Sequence, residues 1–557
     1  LDGTKMKKVG KYLIILAHYL QIRQYIRKMK KAIIIFSVAA LCIFGQGCCR
    51  NEFAVLNRKA AKEYLEPIRP AAEGRNPCWN GYSRKFIYAP AFEIAAVEGA
   101  AKYRFDIRQQ EGDGQWSFTA TEPTADLSPV WASIPPSMVD LTVLALDADG
   151  QRLDTVYTRS FLRDFPFEGP YNDNVRPYRE AAMMAALYVH NSEATKAWLD
   201  SVTPDTLAYP HYTYANKIVG GLIRIETRIA ENIPSKREEA IAIAKNAARF
   251  LIDQSRPEGD PLEFFPPTYY GRLVASRKPW NIGKTMTMDA CYAGNAFLDL
   301  YDVTGDELYL DRALKIAGTY ARIQNEDGSF PIKVDFATGE PVNEVGAMLH
   351  PVLNFIRRLQ DDYGAEGLDE MKSKAEKWMK EVALETFDLT GQFEDVNVAD
   401  VHPYENLTNC TAAPYASYIL RSNPTPAEIE DARDLIRLSE DQFVHWNALP
   451  DGNGIRVICP PCVYEQHRYQ MPVDASSCNV ANAYLDLYEA TGDRLAFAKA
   501  KALIDNITVV QDPTDGKIPT TWKLYSPKRN KTRSFWYNCT CSSITTLLRM
   551  AEIVGEE

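Results

Sequence analysis

Apolar and polar positions follow one pattern twice along this chain. The first copy, Lys284–Pro331, reads KTMTMDACYAGNAFLDLYDVTGDELYLDRALKIAGTYARIQNEDGSFP. The second, Asp474–Pro519, reads DASSCNVANAYLDLYEATGDRLAFAKAKALIDNITVVQDPTDGKIP. With Asn295 set on Asn482, Cys291 falls on Cys478, 298–301 (LDLY) on 485–488, and Thr304-Gly305-Asp306 on Thr491-Gly492-Asp493. In each copy the first segment carries small and apolar residues on most sides, as a helix buried between neighbours must. The second alternates apolar and charged residues at helical spacing, as an outward-facing helix does. Each copy therefore predicts a helical hairpin with a TGD turn and a DGxxP loop behind it. Self-similar hairpins cannot bury their apolar faces alone, so they stack into an array or close into a ring.

The same periodicity predicts helices near 176–191, 211–231, 235–255, 286–303, 306–324, 341–360, 367–385, 406–421, 426–446, 476–490, 493–508 and 540–554. These pair into six hairpins, the first helix closing against the last. The expectation is a mainly α fold: an (α/α)6 six-hairpin barrel over 166–557, with an open solenoid as the alternative. Residues 85–165 instead alternate apolar and polar positions between turn signals, which predicts a small N-terminal β-sandwich. Its expected role is structural, with glycan binding open. In a ring of this kind the free N–H groups and positive dipole ends of the inner helices point into a common cleft. The residues just ahead of the inner helices are thus the ones to search.

Residues 1–49 read as an upstream extension, a signal peptide and a lipid-attachment box. Met29-Lys30-Lys31 precedes a short apolar run, AIIIFSVAALCIF, too short for a membrane span and suited to secretion. The small residues before Cys48 resemble a bacterial lipobox, which implies acylation of Cys48 and a place at the bacterial envelope, in the periplasm or on the outer membrane. An ordinary signal peptide is the alternative. Residues 50–84 read as a linker. The net charge of −10 gives no support to nucleic-acid binding. Eleven cysteines in 557 residues do not make a disulfide framework. No cofactor is implied.

Carboxylates, aromatics, cations and amides gather repeatedly ahead of the inner helices. His211 and Tyr212 lie before one. Arg272 and Lys284 lie before the next, with Asp289 in its first turn. Glu344 follows at the third, and His402, Tyr404 and Glu405 at the fourth. Glu465, His467, Arg468 and Asp474 precede the fifth, and Trp536, Tyr537 and Asn538 the last. Such a set suits a polyhydroxylated ligand: rings take the apolar face of a sugar, amides and charges its hydroxyls. Hydrolysis of a glycosidic bond needs two carboxyls, one of them protonated. Asp289, Glu344, Glu405 and Asp474 are the candidates. Asp289 stands out because the second copy has Ser476 there, so the hairpin itself does not need the acid. Each of these acids also fits a helix cap or the helix dipole.

No metal is expected. The alternative is a zinc site drawn from Cys459, Cys462, Cys478, Cys539 and Cys541, since CPPC followed by CTC is suggestive. Against it, Cys478 matches Cys291 in the repeat, where a small buried residue suffices.

The lipobox, the small β-module and the six predicted hairpins with TGD turns and DGSFP loops resemble secreted glycan-degrading lipoproteins of gut Bacteroidota. Over 85–557 the chain looks most like glycoside hydrolase family 154, exo-β-glucuronidases. That resemblance implies release of β-linked glucuronic acid from an oligo- or polysaccharide, most fittingly an acidic one. Arg272, Lys284, His467 and Arg468 would then supply cations for the uronate carboxylate. A second resemblance covers 474–554. In glycoside hydrolase family 127, β-L-arabinofuranosidases, a zinc-bound cysteine is the nucleophile, and WYNCTCSSITTLL occupies the matching place here. CTC replaces adjacent cysteines, and Asp474 lies further from Cys478 than that family's acid-x-Cys motif. A uronate-active lyase or epimerase on the same toroid, with a Tyr or His as base, is a further alternative. So is a glycan-binding surface protein without turnover.

Overall fold

The computed structural model describes residues 47–68, 83–271, 279–342, 345–387, 389, 408–448, 459–467, 471–522 and 535–556. It is mainly helical. Thirteen longer helices run α1 Gly47–Glu63, α2 Tyr178–His190, α3 Ala215–Asn232, α4 Arg237–Gln254, α5 Ala290–Thr304, α6 Glu307–Ile323, α7 His350–Tyr363, α8 Asp369–Trp378, α9 Asn409–Leu420, α10 Pro426–Phe443, α11 Asp474–Thr491, α12 Arg494–Val510 and α13 Tyr537–Val554. The expected helix over 341–360 begins only at His350. Its first part is extended instead, with Pro341 bridging Val334 and Gly346 bridging Pro331.

α3 packs on α5, α5 on α7, α7 on α9, α9 on α11, α11 on α13, and α13 returns to α3. Each has an outer partner: α4, α6, α8, α10, α12 and, for α13, α2. The TGD turns work identically in both copies. Gly305 (φ 68°) and Gly492 (φ 73°) take the left-handed conformation that ends a helix, which glycine adopts without Cβ strain. Asp306 and Asp493 then cap the next helix by accepting from the N–H groups of Leu308 (3.2 Å) and Leu495 (2.9 Å).

The DGxxP loops tie each hairpin to the next outer helix. Gln324 donates to the carbonyls of Gly328 (3.0 Å) and Met371 (2.9 Å). Gln511 repeats this with Gly516 (2.9 Å) and Ala181 (2.8 Å). The second loop therefore docks α12 on α2. A Cβ on Gly516, itself at φ 79°, would sit 2.6 Å from the Met184 carbonyl, so only glycine fits.

The N-terminal module is one five-stranded sheet: β1 Lys85–Phe86, β2 Lys102–Gln109, β3 Gln115–Ala120, β4 Ser137–Leu146 and β5 Arg152–Arg163, in the order β1-β5-β4-β2-β3. All pairs are antiparallel except β1 with β5. The sequence predicts a sandwich, yet no second sheet of the module occurs among the described residues. Short pairs elsewhere join β6 Lys284–Met286 to β7 Lys333–Asp335 and β8 Val444–His445 to β9 Cys462–Val463.

The stretch 50–84, read as a linker, contains α1. Leu56, Ala60 and Tyr64 are buried at helical spacing, and α1 packs against α12. Buried charges fix the module to the helical body. Asp441 of α10 accepts from the N–H groups of Ile87 (2.6 Å) and Tyr88 (2.9 Å). Asp164 takes Lys85 at 2.9 Å and His445 at 2.8 Å. Glu440 accepts from the hydroxyls of Tyr64 and Tyr88, both at 2.8 Å, and pairs with Lys499 at 2.8 Å. Buried charges persist only when paired and hydrogen-bonded, as these are.

Candidate functional site

The inner helices all begin at one end of the ring. Near that end Gly221 of α3 lies against the Asn538 backbone, Gly220 against Tyr292, and Asn479 donates to Asn409 (3.3 Å). Toward the other end, Asp299 of α5 binds Arg224 (2.8 Å) and Arg358 (2.7 Å), and Asp486 of α11 binds Arg421 (2.8 Å) and Arg549 (2.5 Å). Burial opposes the Asp299 charge, but Arg224, Arg358 and Arg228 hold its carboxyl down to about 2. That end is a closed ionic layer. The chemistry gathers at the helix starts.

Asp474 is the first residue of α11 and is fully buried. It accepts from the Ala475 N–H (2.8 Å) and the Ser543 hydroxyl (3.1 Å). Burial pushes its carboxyl up to about 8, and the nearby charge of Glu465 adds to the rise. The acid thus carries a proton at neutral pH. Glu465 is half-buried on the segment between β9 and α11, where its carbonyl accepts from the Asn409 side chain (3.0 Å).

Cys539, in the first turn of α13, is the common neighbour of these groups. Burial pushes its thiol well up, Asp474 and Glu465 push it further, Lys217 opposes, and Cys410 adds to the rise. Lys217 lies in the first turn of α3. Its ammonium sits 4.9 Å from the centre of the Trp536 ring and 5.6 Å from that of Tyr214. His211 stacks on Trp536 at 4.1 Å, and Tyr214 lies 5.3 Å from Trp536. The Trp536 N–H donates to Thr520 Oγ1 (2.9 Å), and the Thr520 carbonyl accepts from the Asp474 N–H (3.1 Å), so one loop positions both residues.

Of the residues the sequence singles out, the structure brings Asp474, His211, Trp536 and Asn538 to this end of the ring. Tyr212 and Tyr537 are there too, but as wall. The Tyr212 hydroxyl accepts from Trp198 (2.8 Å) and donates to the Ala194 carbonyl (3.2 Å). The Tyr537 hydroxyl lies 2.9 Å from that of Ser192, and its ring stacks on Tyr209 at 4.2 Å. Asp289 stands at the start of α5 without a side-chain cap hydrogen bond, buried beside Cys291, whose thiol it helps burial to raise. Lys284 is half-buried in β6 opposite Asp335. His467 lies 3.2 Å from the Gln442 side chain at the end of outer helix α10. Burial and Arg84 hold its imidazole down to about 4, so it is neutral. Glu344, Glu405, Arg272, His402, Tyr404 and Arg468 lie outside the described residues.

The cysteines fall into separate neighbourhoods, Cys462 near Cys459, Cys478 near Cys541 and Cys539 near Cys410. The Cys459 carbonyl accepts from Asn506 of α12, and Cys462 lies in β9. Cys478 faces Ser543 (3.7 Å), and Cys541 lies near Arg224. Among the described residues no three His, Cys, Asp or Glu side chains group closely enough to hold a metal ion. Lys217 is absent from the residues drawn from sequence, whereas Glu465 is among those gathered ahead of the fifth inner helix but not among the four candidate catalytic carboxyls. A lysine in a helix's first turn, against the dipole, is the available signal for the former.

No protein-family model matches the chain, and no curated protein matches it. Among solved structures it is similar to a family 76 glycoside hydrolase from a bovine Bacteroides thetaiotaomicron strain, at 8% identity over 82% of this chain and 93% of that one, TM-score 0.44. It is similar to an unsaturated glucuronyl hydrolase specific for heparin, at 12% identity over 68% and 97%, TM-score 0.41. A sugar epimerase from a ruminal bacterium follows at 11% identity over 60% and 87%, TM-score 0.43.

Proposed function

We propose that the protein is a carbohydrate-active enzyme, a glycoside hydrolase that releases β-linked glucuronic acid from glycan ends, built on an (α/α)6 barrel and exported as a lipoprotein. The barrel reading is supported by the unbroken succession of inner-helix contacts and by the docking of α12 on α2. One arrangement carries the functional reading: Asp474, buried with its carboxyl pushed up to about 8, is within electrostatic reach of half-buried Glu465, and Thr520 ties it to Trp536, against which His211 and Tyr214 pack. Glycoside hydrolysis asks for one protonated and one ionised carboxyl beside a surface that takes a sugar. Asp474 is sealed from solvent, so Glu465 is the carboxyl that meets the ligand. Asp474 positions it and relieves a second negative charge.

A cysteine nucleophile is the second reading, favoured by the place of Cys539 among the charged groups. Cys539, rather than Cys541, is the thiol in question. Its raised thiol is a poor nucleophile as it stands, which puts the carboxylates first. The test is a panel of nitrophenyl glycosides with protein from residue 50 onward, with and without chelator. Turnover of the β-glucuronide that is indifferent to chelator and lost in Glu465→Gln supports the carboxylate reading. Turnover of β-L-arabinofuranoside lost with chelator or in Cys539→Ser replaces it with the cysteine one. Release of an ultraviolet-absorbing unsaturated product from uronic-acid polymers replaces both with a lyase.

A further inference from the structure

All six inner helices begin at one end of the ring, and only one of their first turns holds a lysine or arginine. α5 opens Ala290-Cys291-Tyr292, α7 His350-Pro351-Val352, α9 Asn409-Cys410-Thr411, α11 Asp474-Ala475-Ser476 and α13 Tyr537-Asn538-Cys539. His350 is buried, which holds its imidazole down to about 3, so it brings no charge. α3 opens Ala215-Asn216-Lys217. A cation there opposes the helix dipole and adds nothing to the helix. Lys217 itself is half-buried.

Two aromatic rings hold the ammonium in place. Trp536 at 4.9 Å and Tyr214 at 5.6 Å offer their electron-rich faces, which keep the amine charged and limit its swing. Asn538, whose backbone meets Gly221 one turn along α3 from Lys217, has its Oδ1 buried with no hydrogen bond. The charge of Lys217 is felt at Cys539 together with those of Asp474 and Glu465. A neutral sugar needs no such cation. A sugar bearing a carboxylate does, because the group would otherwise be desolvated beside Glu465.

We propose that Lys217 is the specificity-determining residue of the cleft and pairs with the carboxylate of a uronic acid. This rests on the reading of the cleft as a carbohydrate site. The test compares 4-nitrophenyl β-glucuronide with β-glucoside, which differ in a carboxylate against a hydroxymethyl group. In Lys217→Met, kcat/KM for the glucuronide is expected to fall about 100-fold or more, as for a desolvated charge pair, and for the glucoside less than about fivefold. Lys217→Arg restores part of the preference. Equal losses on both substrates, or none, overturn the proposal.

If the wild-type protein turns over neither substrate, the hydrolase reading fails and tryptophan fluorescence decides on Lys217. Titration with glucuronate and with glucose should then show a preference for glucuronate that Lys217→Met and Lys217→Gln both lose. No preference in the wild-type protein overturns the proposal. Far-UV circular dichroism of each variant separates lost specificity from lost folding.

Discussion

The ring contains two three-helix stretches that share a frame and differ at the top. In the first, α5 stands between α3 and α7; in the second, α11 stands between α9 and α13. Asn295 and Asn482 both donate to the carbonyl four residues back, at 3.0 and 2.9 Å. Both then receive an arginine from the following inner helix, Arg358 or Arg549. Asp299 gathers Arg224, Arg228 and Arg358, and Asp486 gathers Arg421 and Arg549, from the flanking helices and their ends. At the cleft the correspondence ends. Thr287 stands where Asp474 does, and Ser476 where Asp289 does. The frame repeats where packing is the task, and the copies diverge where the helix starts line the cleft. Divergence inside a repeat thus marks chemistry more sharply than the presence of an acid.

The largest effect expected from this difference is on turnover. Asp474→Asn should lower kcat about 100-fold, the scale of misplacing a reacting group by about 1 Å, while Thr287→Val stays within a few-fold of wild type. A merely structural Asp474 would not move the pH profile. Here the alkaline limb of the wild-type profile, set by a carboxyl raised to about 8, should vanish in the variant. The linkage has a definite sign. The folded chain keeps this proton up to about 8, whereas an unfolded aspartate releases it near ~4. The folded state binds the extra proton across that window, so wild-type stability falls as pH rises through it and levels off above. Relative to the Asp474→Asn variant, the wild-type protein should therefore lose up to ~1.4 kcal/mol for each pH unit between those limits. Urea denaturation of both proteins at pH 5, 6, 7 and 8 measures it, and parallel curves would dismiss the raised carboxyl.

The shared frame should break equally in both copies. Asp299→Ala and Asp486→Ala each leave two or more arginines without their buried partner, which costs roughly 3 kcal/mol or more. The midpoint of chemical denaturation should drop by similar amounts in the two variants. A drop in one alone would show that the halves do not carry the same ionic layer.

How far the sequence reaches follows from the same contrast. The helices are legible because apolar spacing reports a buried stripe, and the hairpins because the TGD and DGxxP signals punctuate them. The β-module is legible as strands but not as a single sheet: alternation says that a strand has a buried face, not what buries it. α1 is hidden because Leu56, Ala60 and Tyr64 are sparse in a polar stretch. At the cleft, Asp474, His211 and Trp536 can be chosen from their position ahead of inner helices. Tyr212 and Tyr537 can be chosen for the same reason, yet their hydroxyls are tied to Trp198 and Ser192. Spacing cannot tell a ring that lines a cleft from one that walls it. Glu465 lies ahead of α11 and Lys217 in the first turn of α3, but their meeting around Cys539 joins distant segments, which no local pattern encodes.

The loop glutamines offer a smaller, symmetric test. Gln324→Ala and Gln511→Ala each strand two carbonyls that the side chain now serves, at a cost of about 1–2 kcal/mol. Thermal unfolding should register similar losses. A larger loss for Gln511 would mean that the joint of α12 with α2 closes the ring more tightly than the internal joint of α6 with α8.

The caps should show the smallest effects and the clearest asymmetry. Asp306 and Asp493 perform the same backbone task, and replacing either by alanine costs about 1 kcal/mol for the cap alone. Their surroundings differ. The Asp306 carboxyl is 41% exposed, with Lys245 only at 3.8 Å. That of Asp493 is 6% exposed and takes Lys59 of α1 at 2.7 Å and Arg433 of α10 at 3.2 Å. Asp493→Ala should therefore cost about 1 kcal/mol more than Asp306→Ala, the scale of partly shielded charge-assisted bonds. Adding Lys59→Met should remove much of that difference in the second copy and change nothing in the first. If the two caps cost the same with Lys59 intact, the Lys59 contact adds no hold, and α1 is kept by Leu56, Ala60 and Tyr64 with its remaining ion pairs to α12, Glu52–Arg494 and Glu63–Lys499.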